Sequence, residues 1–235
     1  MTKLTYPVEH WTTALAESNF QTQSAQIVTI NDRAATRQAI ISAIQHNKIE
    51  FIERSSWAAH KNKSERMESD WNYHMIAIHH AGRSMSCGPA ASQLQKIQDA
   101  HMNGNKWPDI AYHYAIDCFG NIYEGRDIRF KGGHLFEYNT GAIGIVLLEN
   151  LTEPGEGTGV GSYITKFLLS KPSVPTEQEI STKKIISVLK KFFKISQLGG
   201  HREFPNQQNS DKICPGNIGI SLVNRLRKEL EISAP

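Results

Sequence analysis

The segment 142–148 reads Ala-Ile-Gly-Ile-Val-Leu-Leu, a near-continuous apolar run. An uninterrupted run of this length suits a strand buried on both faces, and such strands sit in the middle of a layered sheet. A second short run, His-Met-Ile-Ala-Ile-His-His at 74–80, has the same character. The β-branched and aromatic segment Ala111 to Asp117, then Phe119-Gly120-Asn121, then Ile122-Tyr123-Glu124, reads as a β-hairpin. Helical patterns alternate with these strands. Pro89 to Met102 places Leu94, Ile97 and His101 on one face, with Gly104 just beyond. Thr176-x-x-Glu179 has the form of a capping box opening a helix with Ile180, Ile185, Ile186, Leu189 and Phe193 as its stripe, ended by Gly199-Gly200. A last helix over roughly 217–231 turns Ile218, Leu222, Val223, Leu226 and Leu230 inward. Residues 152–162, rich in Gly, read as a loop. Alternating strands and helices predict an α/β or mixed-sheet domain.

Residues 1–50 differ from the rest. They are polar, contain no Gly, and hold one helical pattern, with Asp32 as cap and Ala35, Ala39, Ile40, Ala43 and Ile44 at helical spacing. We read 1–50 as an N-terminal extension packed on a main domain of 51–235; a plain first helix of one domain fits equally well. The 235 residues carry 26 Lys+Arg against 23 Asp+Glu, a net charge of +3. That balance, without a basic aromatic platform, argues against a nucleic-acid binder. No stretch approaches the roughly 20 apolar residues of a membrane span. The first twenty residues lack the apolar segment of a signal peptide. Three scattered cysteines suit neither a disulfide scaffold nor a CxxC finger.

Chemistry-bearing residues gather at three places: Ile78-His79-His80-Ala81-Gly82, where a strand runs into a Gly turn; Gly199-Gly200-His201-Arg202-Glu203; and Lys212-Ile213-Cys214-Pro215-Gly216, before the last helix. His79 and His201 lie more than a hundred residues apart, so only the fold can join them. Two His and a Cys leave a tetrahedral ion one open position, the arrangement catalytic zinc needs. Bound zinc lowers the pKa of water from about 15.7 toward about 7.

With these residues in view, the chain resembles the superfamily of peptidoglycan recognition proteins and type 2 N-acetylmuramoyl-L-alanine amidases, which includes phage lysozyme-type amidases. The resemblance rests on eight stretches in family order: RSSWAA (54–59), IHHAG (78–82), DIAYHYAID (109–117), GNIYEGR (120–126), GGH (132–134), YNTGAIGI (138–145), GGHRE (199–203) and KICPG (212–216). It implies a mixed central β-sheet flanked by helices, with a zinc cleft on one side. It implies that His79, His201 and Cys214 bind Zn2+ and that His80 does not. It implies catalytic roles for Tyr112, beside the metal, and Lys212, whose ammonium would stabilise an oxyanion. Substrate contact is expected at His134, which matches a groove His; His80 and His113 are assigned to the substrate side or to hydrogen bonds behind the metal. Trp57 is read as core and Arg126 as a structural ion pair.

The implied activity is hydrolysis of the bond between N-acetylmuramic acid and L-alanine in peptidoglycan. A binding module of the same fold is the alternative, and binding-only relatives commonly lose the Cys. Recycling-type relatives carry a Glu in the central strand where this chain has Val146. The missing signal segment leaves an endolysin, an effector delivered outside the Sec route with an immunity partner, and a cytosolic recycling enzyme as settings. Animal recognition proteins often carry a disulfide after the His-His turn; here Cys87 lacks its local partner. Pairing with Cys118 would leave Cys214 for the metal.

Overall fold

The computed structural model describes residues 6–8, 26–28, 30–82, 85, 87–153, 155–156, 173–207 and 213–235. In chain order the elements are β1 (Tyr6–Val8), β2 (Gln26–Val28), α1 (Ile30–His46), β3 (Phe51–Ile52), β4 (Met75–His80), α2 (Ala90–Asp99), β5 (Tyr114–Ile116), β6 (Ile122–Glu124), β7 (Ala142–Leu147), α3 (Thr176–Phe192), β8 (Gln197–Gly200) and α4 (Gly216–Leu230). Strands β1 and β2 pair with each other. The other six form one mixed sheet in the order β3-β6-β5-β7-β4-β8. Only the hairpin β5–β6 is antiparallel; β4 runs parallel to both β7 and β8. The α/β expectation therefore holds, and the two apolar runs are the adjacent interior strands β4 and β7, with every residue of both buried.

A large cluster on one face joins Ile76, Ile78, Ile143 and Ile145 to Ile185, Ile186 and Leu189 of α3 and Leu222, Val223 and Leu226 of α4. Ile40, Ile41 and Ile44 of α1 belong to the same cluster. On the other face Val146 packs with Leu94 of α2, Ile110 and Trp57. Trp57 is core, as expected, and its indole N–H donates to the Glu124 carbonyl at 2.8 Å. The hairpin turn is fixed by Asp117, whose Oδ1 accepts from Phe119 N and Asn121 N at 2.9 Å each.

Several local readings need correction. Asp32 lies inside α1 and not at its cap. The cap of α3 is Pro175, and no side chain closes it. Glu179 pairs with Arg225 of α4 instead, at 2.7 Å. Ile180 faces outward, 46% exposed. Gly199-Gly200 does not end α3, which stops at Phe192; it forms β8. A Cβ on Gly199 would meet the Pro235 ring at 2.6 Å, and one on Gly200 would meet Ile220 at 2.6 Å. This edge strand is built of glycine because other chain segments press against it, and glycine carries no strand signal in sequence. Helix α2 is shorter than expected and widens into a π-turn, Ala100–Gly104. Cys87 and Cys118 form a disulfide across a Cα–Cα distance of 5.5 Å, so Cys214 keeps its thiol. The Gly-rich loop reading falls mostly on 157–162, outside the described residues.

Candidate metal centre

His79 is the fifth residue of β4, and its side chain emerges where the parallel strands end. His201 follows directly on β8, the neighbour of β4, in a short 3-10 turn, His201–Glu203. Cys214 stands two residues before α4 and is held to that turn: Arg202 N–H donates to its carbonyl at 3.2 Å. Parallel pairing of β4 and β8 thus places His79 and His201 at one end of the sheet, and the Arg202–Cys214 bond brings Cys214 to them. Their ligand atoms all lie within 4.8 Å of one another. Cys214 Sγ is 3.6 Å from His79 Nδ1. Tetrahedral zinc with Zn–N and Zn–S bonds of ordinary length sets its ligands about 3.4–3.6 Å apart. The donor chemistry fits that ion, as does the Cys214–His79 separation.

The outer nitrogens of both imidazoles are committed. His134 Nε2 faces the Ala142 carbonyl at 3.3 Å, so it carries the hydrogen. His134 Nδ1 is therefore an acceptor, and it takes the Nε2–H of His79 at 3.1 Å. That leaves His79 Nδ1 bare toward Cys214. Burial, then the neighbouring His201 and His134, hold the His79 pKa well below its usual value, so the ring is a neutral donor of its lone pair. On the other side, His201 Nε2 lies 3.1 Å from Gln207 Oε1.

The three expected substrate residues, His134, His113 and His80, are all buried. His134 is buried, and Gly144 makes room for it: a Cβ there would sit 2.4 Å from the imidazole. Asn139 Oδ1 accepts the backbone N–H groups of His134 and Leu135, at 2.7 and 2.8 Å, and fixes the loop. His113 is fully buried, accepting from Gly144 N at 3.0 Å and donating to the Phe130 carbonyl at 3.0 Å. Desolvation drops its pKa to about 4. His80 turns to the α4 side, where Nδ1 accepts from Leu151 N at 3.1 Å. Substrate contact at these three positions would require side chains that the interior already uses. Arg126, read as one half of an ion pair, is also buried and donates to the carbonyls of Ile110, Lys131 and Asp109.

Tyr112 is half-buried, its ring centroid 4.9 Å from that of His79. Burial, aided by Cys214, raises its hydroxyl pKa above the usual value, so the group keeps its proton at neutral pH. His101, on the π-turn, packs beside it at 5.6 Å and accepts from Ala111 N at 3.1 Å. Lys212 lies outside the described residues. The side chain that sequence reasoning missed is Gln207; its loop reads only as polar bulk, and no motif marks it.

Solved structures share this architecture. Drosophila PGRP-LB superposes with a TM-score of 0.59 at 24% identity, over 79% of this chain and 96% of that one. The Clostridium intestinale endolysin LysCS, an N-acetylmuramoyl-L-alanine amidase, gives 0.57 at 22%, over 78% and 97%. The fold is that of the peptidoglycan recognition protein and type 2 amidase superfamily. The chain belongs to the N-acetylmuramoyl-L-alanine amidase family, Amidase_2, whose pattern matches residues 69–217. Among curated relatives, peptidoglycan-recognition protein SC2 of Drosophila melanogaster is 34% identical over 103 residues, 43% of this chain and 56% of the relative. Mouse peptidoglycan recognition protein 3 is 33% identical over 103 residues, 43% of this chain and 29% of the relative. The chain thus spans about half the length, or less, of these relatives. The family supports peptidoglycan binding or amidase activity. No helix among the described residues is long and apolar enough to cross a membrane.

Proposed function

We propose that this chain is a zinc-dependent amidase that hydrolyses the N-acetylmuramoyl–L-alanine bond of peptidoglycan. One observation carries the reading: two imidazoles and a thiol converge with their outer hydrogen bonds already satisfied. His79, His201 and Cys214 would hold the ion. Zinc in such a site supplies a water that is nucleophilic near neutral pH and polarises the scissile carbonyl. Tyr112, a proton donor beside His79, would orient that water and pass a proton toward the leaving amine. Lys212 is proposed, from its place two residues before Cys214, as the oxyanion donor; Lys212→Ala should lower kcat more than it raises KM.

The wall is the natural site of action, in the periplasm or outside the cell, as an endolysin or a secreted antibacterial effector. Recycling of muropeptides in the cytosol fits less well, because Val146, paired in register with His79, stands where recycling-type relatives carry Glu. Residues 51–235 are proposed as the amidase domain and 1–50 as an extension packed upon it.

A non-catalytic peptidoglycan-binding module is the second reading. The recognition proteins among the relatives favour it, and a PGRP-LB variant, 25% identical, is solved with tracheal cytotoxin. Cys214 separates the two readings, since a receptor has no need of a thiolate. Mass spectrometry of purified sacculi digested with and without chelator decides between them. Release of lactyl-ended glycan and free stem peptide, lost on chelation, is expected; binding without cleavage would leave the receptor.

A further inference from the structure

We infer that Gln207 is a positioning residue that sets the tautomer of His201 and so selects the nitrogen offered to the metal; the metal half of this inference rests on the zinc reading above. Gln207 is fully buried although its neighbours Pro205 and Asn206 are exposed. Its amide uses every valence. Nε2 donates to the Phe136 carbonyl at 2.8 Å and to the Pro205 carbonyl at 3.0 Å. Oε1 accepts from Phe136 N–H at 3.1 Å. Two carbonyls on one end and an N–H on the other allow the amide a single orientation. The atom 3.1 Å from His201 Nε2 is therefore an oxygen, so Nε2 must carry the hydrogen, and in the neutral ring that a metal requires Nδ1 is the bare nitrogen. Backbone geometry fixes the amide, the amide fixes the tautomer, and the tautomer fixes the ligating atom. Such partners of ligand imidazoles commonly change metal affinity about 10–100-fold when removed. The same amide ties the segment bearing exposed Phe136 to the metal centre.

The test compares Gln207→Met, which keeps the shape and removes all four bonds, with Gln207→Glu. The latter keeps an acceptor for His201 and loses the donors to Phe136 and Pro205. Two-bond 1H–15N ring spectra of the full, metal-free chain should show His201 wholly as the Nε2–H form in the parent and in Gln207→Glu, and mixed in Gln207→Met. Zinc affinity by competition with a chromophoric chelator should fall about 10–100-fold in Gln207→Met and less than about threefold in Gln207→Glu. An unchanged tautomer and affinity in folded Gln207→Met overturn the inference. So does an equal loss in both variants, which is the signature of a simple loop strut. If Gln207→Met does not fold, Gln207→Glu alone decides, by whether the Nε2–H form survives a loosened loop. A parent chain that fails to take up zinc defeats the zinc reading, while the ring spectra still decide what Gln207 does to His201.

Discussion

His79 and His201 present the same nitrogen from different supports. His79 stands on β4, which is paired along both edges, and the imidazole behind it is braced by Asn139 and seated over Gly144. His201 stands on a single 3-10 turn past an edge strand, and Gln207 reaches it from a loop. On the sheet side, register does the positioning and the bracing ring is buried in the core. On the loop side there is no register, so a side-chain amide anchored to three backbone groups substitutes for it. A ligand at a strand end is cheap to orient; one in a loop needs a dedicated, fully bonded partner.

The largest test removes the shared ligand. Cys214→Ala or His79→Ala should take zinc content and hydrolysis together to background, read by metal analysis and sacculus digestion; full zinc in both would dissolve the cluster and with it the comparison. Next, Tyr112→Phe should keep zinc but slow turnover about 10²–10⁴-fold, the usual range for a lost proton-transfer group. Turnover at the parental rate would remove Tyr112 from the chemistry. The comparison itself is sharpened by His134→Phe, which should weaken zinc about 10–100-fold. It should also destabilise the fold, because His134 lies within the core. Gln207→Met should cost stability too, because it strips partners from the Phe136 and Pro205 backbone groups; what separates the two variants is the His201 ring spectrum, which changes in Gln207→Met and keeps the Nε2–H form in His134→Phe. A changed His201 ring spectrum in His134→Phe would erase the distinction between sheet and loop support.

The smallest effect is one of pH. Burial holds His113 at about 4, below the roughly 6.5 of an unfolded His. Between those values the unfolded chain binds a proton that the folded one refuses. Stability present above pH 6.5 is thus lost as pH falls toward 4. From pH 7 to 5 the loss should be on the order of 1–2 kcal/mol, read from urea midpoints. His113→Gln should flatten that slope; an unchanged slope would place the proton uptake elsewhere.

The central strands were legible because both-face burial writes a continuous apolar run, as in 74–80 and 142–148. The convergence of His79, His201 and Cys214 was legible because a His at a strand end and a Cys-Pro-Gly before a helix match a family pattern at fixed places. Strand β8 was not, since its Gly199-Gly200 reports crowding by Pro235 and Ile220 and not strand propensity. Nor were the roles of His134, His113 and Gln207. A buried imidazole and a groove imidazole look alike in sequence, and a glutamine in a polar loop gives no sign that four bonds await it.

The parallel run of β7, β4 and β8 brings residues far apart in the chain to one rim. The connection that leaves β7 stays at that rim: Leu151 N–H donates to His80 Nδ1 at 3.1 Å, and Glu156 accepts from Arg202 at 2.8 Å and from Asn217 N–H at 2.8 Å. A substitution at Glu156 therefore reaches Arg202, the residue next to His201, through a direct ion pair. Variation in this connection is thus coupled to the centre it borders.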